Sequence, residues 1–245
     1  MADAVDSKST GENLAGSTPA SGTIFSPPDP GANMKKIFAI FCGAVMAGIF
    51  IGIAGTVYLA TPNPLLGPFL FALGLLTIVC YRFKLFTGAV GYWANKRGRE
   101  IFTYFGELCV IWLGNLAGCF AVGALVRQSR SFGLFAARIE SMCAVKLADS
   151  PGSLVILAFF CGILMYTAVE TFRREELPGM ARVLMVILCV AVFILSGFEH
   201  SIAGMYYFAV AGEWNHHALT AVALMTLGNS LGGMLLPFAD NFRKE

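Results

Sequence analysis

Glu199 and His200 stand inside a stretch, residues 183–211, that is otherwise apolar, and Arg82 and Lys84 interrupt a second such stretch at residues 66–94. Ionisable groups that deep in an apolar run cost at least ~2.5 kcal/mol each on membrane-insertion scales, so they usually face a cavity or a pathway. The imidazole of His200 could exchange a proton at working pH, its ordinary pKa being about 6.5, or supply only a hydrogen bond. A buried imidazolium would need a partner, and Glu199 is its neighbour in sequence. Thr87, in Lys84-Leu85-Phe86-Thr87-Gly88, offers a hydroxyl that could serve the same pathway or cap a helix. Arg82 and Lys84 either line a vestibule and raise the local anion concentration or extend toward the interface.

Other chemistries find no constellation. The cysteines show neither CxxC nor His/Cys ligand spacing and lie mostly inside apolar runs, where they read as small core residues. His216-His217 lies beside Trp214 with no acid or cysteine at ligand spacing, so it reads as interfacial structure and not as a metal site. Glu107, Glu170 and Glu199 do not pair as a membrane-embedded enzyme would require. No catalytic residue, metal or cofactor is expected. The net charge of +2 is small and spread over loops, which argues against a nucleic-acid partner.

The elements that must position His200 and Thr87 are membrane helices. The chain is 57% hydrophobic and 13% charged, with mean hydropathy +0.71, well above an ordinary soluble domain. Spanning a bilayer takes about 20 apolar residues in a helix. Six such runs are expected, at residues 37–59, 66–94, 101–126, 154–172, 183–211 and 219–238, with polar segments at 127–151 and 173–182. Residues 1–34 are rich in Ser, Gly, Pro and Ala and lack the basic start and apolar stretch of a secretory signal. They read as a disordered cytoplasmic tail, leaving 35–245 as the membrane domain. Six spans put both termini on one side of the lipid bilayer. Lys35, Lys36, Lys96, Arg97, Arg99, Arg173, Arg174, Arg182, Arg243 and Lys244 share that side, against Arg127, Arg130, Arg138 and Lys146 on the other, so both termini are cytoplasmic.

The second and fifth spans carry their charges beside glycine and small polar residues, as expected of discontinuous helices. The halves also echo each other. Gly114-Asn115-Leu116-Ala117-Gly118 and Gly228-Asn229-Ser230-Leu231-Gly232 share a GNxxG pattern; Thr87 precedes Asn115 by 28 residues and His200 precedes Asn229 by 29. With three spans per repeat the second copy must be inverted, and paired broken helices point to a site near the midplane. The pathway should pass between Thr87 and His200, with Glu199, Asn115 and Asn229 beside it.

Gly197-Phe198-Glu199-His200-Ser201-Ile202-Ala203, Leu85-Phe86-Thr87-Gly88 and the two GNxxG segments together resemble the formate/nitrite transporter family from about residue 37 to 240. The resemblance implies an all-α, aquaporin-like protomer whose broken segments form loops inside it, five protomers with one pore each, and a bacterial cytoplasmic (inner) membrane. It implies a channel for small monovalent anions of weak acids, formate first, nitrite or hydrosulfide next. A neutral-solute channel is the nearest alternative, although aquaporins carry Asn-Pro-Ala at both junctions. By the same resemblance His200 is the central histidine, Thr87 the loop threonine and Lys146 the lysine that attracts the anion. Phe71, Leu75, Phe86 and Phe193 fall at the apolar constrictions. Gly204, Lys84 and Tyr166 depart from the family pattern, at positions that bear on substrate identity. A bare anion loses its hydration in such a slit at a cost of many kcal/mol, whereas the neutral acid loses far less; passage as the protonated acid follows.

Overall fold

The computed structural model describes residues 30–243, and among these every regular element is helical. In chain order they are α1 (Pro30–Ala60), α2 (Leu66–Cys80), α3 (Phe86–Ala89) continued by a 3-10 turn (Val90–Asn95), and α4 (Glu100–Arg127). A second 3-10 turn (Arg130–Leu134) leads to α5 (Ala136–Ala148), α6 (Pro151–Arg173), α7 (Gly179–Leu195), α8 (Ser201–Ala211) and α9 (His216–Arg243). Residues 1–29 of the expected tail lie outside the described residues, and α1 already begins at Pro30.

Four helices contain a stretch long and apolar enough to cross a membrane: Asn33–Ala60, Glu100–Arg127, Pro151–Arg173 and His216–Arg243. The other apolar helices are shorter. α2 has 15 residues, about 22 Å at 1.5 Å per residue, which falls short of a hydrocarbon core of about 30 Å. It stops at Cys80 and the chain re-enters a helix at Phe86; α7 stops at Leu195 and the chain re-enters at Ser201.

The long helices pair α1 against α4 and α6 against α9, and glycine sets how closely they approach. A Cβ at Gly48 would collide with the Asn115 carbonyl, and one at Gly162 with the Asn229 carbonyl. Such contacts between small residues replace the hydrophobic driving force that lipid does not supply. The GNxxG glycines of α4 and α9 meet the backbones of α1 and α6 in the same way: Gly118 faces the Val45 carbonyl and Gly232 the Phe159 carbonyl. Leucines such as Leu73, Leu113, Leu188 and Leu227 remain exposed, which suits a surface solvated by lipid. The chain is a membrane protein built on several apolar helices.

The segment expected to be merely polar, 127–151, contains a real helix. α5 buries Ile139 and Cys143, four residues apart and so on one face, while Arg138, Glu140 and Lys146 break up its apolar signal. Ser150 then caps α6 by accepting from the Ser153 amide, with Pro151 in the first turn.

Candidate functional site

Both interruptions are built on one frame. Asn115 on α4 accepts from the Phe86 amide (2.9 Å) and donates to the carbonyls of Ala44 and Lys84 (both 2.8 Å). Asn229 on α9 accepts from the Ser201 amide (2.9 Å) and donates to the carbonyls of Ala158 (2.8 Å) and Glu199 (2.9 Å). Each asparagine thereby ties the loose end of a short helix to the neighbouring long one, and both are fully buried. The Phe83 amide reaches back to Ile78 as that of Phe198 does to Phe193, and the Lys84 amide donates to Gly43 as that of Glu199 does to Leu157. Even the turns match: Arg82 has φ 58° and Gly197 φ 68°.

These correspondences, each 114 or 115 residues apart, revise the pairing suggested by spacing. The position equivalent to His200 is Leu85, the residue before the first helix of each restart, and not Thr87. Thr87 nevertheless meets His200: its Oγ1 lies 2.9 Å from Nε2, with both residues buried. Thr87 does not cap α3, whose cap residue makes no side-chain bond. His200 caps α8 instead, Nδ1 accepting from the Ala203 amide at 3.0 Å.

That cap fixes the ring's hydrogen bonding. An Nδ1 that accepts carries no proton, so the proton of the neutral ring is on Nε2 and donates to Thr87 Oγ1. The Thr87 hydroxyl proton is then left to donate onward. An imidazolium would set Nδ1–H against the Ala203 N–H, donor against donor, and lose the cap. The geometry holds a neutral imidazole.

Apolar rings flank the pair. Phe193 stacks on His200 (centroids 5.7 Å) and meets Phe71 edge to face (6.0 Å). Phe71, Leu75 and Ile78 follow one another down a single face of α2, all at most 2% exposed. His200 and Phe193 line a cavity of about 430 Å³, whereas Ile78, Leu85 and Gly88 line a second one of about 850 Å³. The Thr87–His200 hydrogen bond thus joins a residue that lines the first cavity to one that stands in sequence between Leu85 and Gly88, which line the second. Phe86 is buried next to Leu85.

Lys146 and Glu199 both line the His200 cavity, but they face each other: Nζ is 2.6 Å from both carboxylate oxygens. Lys146 is therefore charge-balanced, and Glu199 is engaged with it rather than with His200, the partner that adjacency had suggested. Asn115 and Asn229, expected beside the pathway, line neither cavity; their hydrogen-bonding groups hold the breaks. Arg138, read from the sequence only as a charge on the side opposite the termini, was not among the expected site residues. It lines the same cavity, one Nη1 donating to the carbonyls of Tyr58, Leu59 and Thr61 at the end of α1, with the guanidinium over the Tyr58 ring. It forms no ion pair among the described residues. The signal that could have found it is its place on the buried side of α5, one residue before Ile139.

In the larger cavity Arg82 and Lys84 are lining residues together with Lys36, Arg173 and Arg182. Tyr166, one of the departures from the family pattern, packs on Tyr92 near this end.

A sequence model described as formate/nitrite transporter matches residues 31–239. The nitrite transporter NirC of Escherichia coli (strain K12) is 29% identical over 214 residues, covering 78% of this chain and 77% of the relative. The formate channel FocA of the same strain is 28% identical over 245 residues, covering 82% and 85%. Among solved structures, a pentameric formate channel with formate bound superposes with a TM-score of 0.76 at 25% identity, covering 86% of this chain and 98% of that one. A second, described as an FNT family ion channel, gives 0.73 at 22% identity, with 87% and 96% covered.

Proposed function

This chain belongs to the formate/nitrite transporter family, and from that membership we propose that it is a membrane channel for small monovalent anions of weak acids, formate first and nitrite second. The observation that carries the reading is the buried Thr87–His200 hydrogen bond, with His200 lining one cavity and Leu85 and Gly88, on either side of Thr87 in sequence, lining the other. The solved formate channel supports the ranking of formate, and the nitrite transporters, at nearly the same identity as the formate channels, keep nitrite next.

The proposed architecture is six spans in two inverted repeats. α2 with α3 and its 3-10 turn forms one broken span, and α7 with α8 the other. The doubled asparagine frame supports it. The Arg82 cavity is the cytoplasmic mouth, since it collects Lys36, Arg173 and Arg182, in line with the positive-inside rule. Both termini then lie in the cytoplasm, the bilayer is the bacterial inner membrane, and five copies assemble, as the pentameric channel does.

The proposed passage runs from the His200 cavity, past Phe193 and Phe71, to Thr87, then along Leu75 and Phe86 to the Arg82 cavity. The constriction carries no unpaired charge, so a bare anion there would lose its hydration without compensation, whereas the neutral acid would not. Thr87 Oγ1–H is the donor available to the acid's carbonyl oxygen, and His200 Nε2–H holds that hydroxyl in place. His200 acts as a hydrogen-bond anchor rather than a standing positive charge.

The test is stopped-flow uptake into proteoliposomes of formate, nitrite, hydrosulfide, acetate and glycerol at two pH values, wild type against His200→Ala. Flux of weak acids that rises at lower pH and depends on His200 supports the reading and ranks its substrates. Glycerol flux without weak-acid flux refutes it in favour of a neutral-solute channel.

A further inference from the structure

We propose that the larger cavity is a binding site for soluble oxyanions carrying two or more charges, of the phosphate-ester or pyrophosphate class, and that its occupancy blocks the small-anion pathway. The inference rests on the channel reading above for its effect on flux, and on the cavity alone for binding.

Size is the first observation. About 850 Å³ is twice the His200 cavity and far more than a one-carbon anion fills. Charge is the second. Five cations and two carboxylates, Glu107 and Glu175, line it. Lys36 is committed to Glu107 at 2.6 Å, and Arg82, Lys84, Arg173 and Arg182 have no ion-pair partner among the described residues. A passing monovalent anion must be held weakly enough to leave; four cations without an ion pair, against one remaining carboxylate, Glu175, exceed that need and match an anion of higher charge.

Two further observations point to a ligand. Arg182 donates through Nη1 to the Phe172 carbonyl, which fixes the guanidinium, yet its Nε is buried with no partner. Buried donors are nearly always satisfied, so the protein leaves the hydrogen bonding of this cavity-lining guanidinium incomplete. Arg82 adopts a left-handed φ of 58° where the equivalent turn has glycine. The turn itself requires that conformation, since the Phe83 amide closes back on Ile78 as in the glycine turn, so what the strain marks is arginine in place of glycine at a position that lines the cavity. The hydroxyls of Tyr92 and Tyr104 are already committed, to Glu170 and the Ala89 carbonyl, so recognition falls to the cations. Leu85 and Gly88 line the same space next to Thr87, so a bound anion stands across the proposed passage.

The test uses the full-length protein with inorganic pyrophosphate as probe. Formate uptake is followed in phosphatidylcholine proteoliposomes with pyrophosphate on both faces, chloride at equal ionic strength serving as control. Calorimetric titration of the detergent-solubilised protein with pyrophosphate runs in parallel. Arg82→Gly and Lys84→Gln are compared, each normalised to its own uninhibited flux; Arg82→Gly installs the residue that the equivalent turn already carries. Pyrophosphate is expected to bind the wild type and inhibit it where chloride does not. Its apparent affinity should fall on the order of tenfold or more in each variant, the weight of one charge-assisted hydrogen bond. Absence of calorimetric binding, or inhibition unchanged in Arg82→Gly, overturns the proposal. If no small anion is taken up even without pyrophosphate, the channel reading fails, and the calorimetry still decides the site.

Discussion

The Lys146–Glu199 pair separates two accounts of how an anion is drawn into the His200 cavity. Both side chains are nearly buried, 12% and 9% exposed, and the ammonium bridges both carboxylate oxygens at 2.6 Å. Removing one partner of such a pair costs about 3–5 kcal/mol, because the other charge stays buried and unbalanced, whereas replacing both with uncharged groups is often neutral. At about 2–4 °C per kcal/mol for a chain of this size, Lys146→Met should lower the thermal midpoint in detergent by on the order of 10 °C. Lys146→Met/Glu199→Gln should recover most of it. Formate flux should follow the same pattern. The single variant leaves a lone carboxylate facing the cavity and should lose at least about tenfold. The double variant leaves Arg138 as the only charge lining the cavity among the described residues and should return toward wild type. If Lys146 acted as an unpaired anion attractor, the double variant would stay as inactive as the single, and that result would refute the pairing argument.

Thr87→Val removes the acceptor of the His200 Nε2–H and leaves a buried donor unsatisfied, about 1–3 kcal/mol; formate uptake should fall about tenfold, with Thr87→Ser close to wild type. Asn115→Ala and Asn229→Ala each strand one amide and two carbonyls in the buried frame, so both should fail to give a monodisperse peak on size-exclusion chromatography. A well-folded variant of either with an unchanged melting point would show that the frame is not needed. Arg138→Gln and Arg138→Lys should both lose stability with the α1 cap. Only Arg138→Gln should raise the KM for formate, severalfold, because only it loses the charge; equal KM values in the two variants would reduce Arg138 to a cap.

The sequence was most legible where a single residue broke an otherwise uniform pattern. Charges inside apolar runs fall where α2 gives way to α3 and α7 to α8, and the two GNxxG segments contain the asparagines that bond there. Spacing could not say which atoms those asparagines bind: a side-chain amide bonded to a backbone 29 residues away leaves no periodic trace. For the same reason they read as pathway residues when they are the frame. Lys146 was legible as a charge but not as half of a pair, since Glu199 lies 53 residues on. Arg138 and α5 were hidden because a 13-residue helix carrying Arg138, Glu140 and Lys146 falls short of an apolar run long enough to span a bilayer.

The equivalence of the two breaks explains how one backbone design yields two different cavities. Leu85 and His200 occupy the same place ahead of their short helices, as do Arg82 and Gly197 at the turns. Lys84 and Glu199 each offer a carbonyl to an asparagine. Their side chains are opposite in charge, and the consequences differ. Glu199 neutralises Lys146 and leaves the His200 cavity nearly balanced, whereas Lys84 adds to a cavity already rich in arginine. Thr87 lies two residues beyond Leu85, the residue equivalent to His200, and that offset lets a threonine from one half reach an imidazole from the other. A strictly symmetric pair would place Leu85 opposite His200 and give the imidazole no hydroxyl to hold. The frame is duplicated, and the chemistry comes from the positions where the copies disagree.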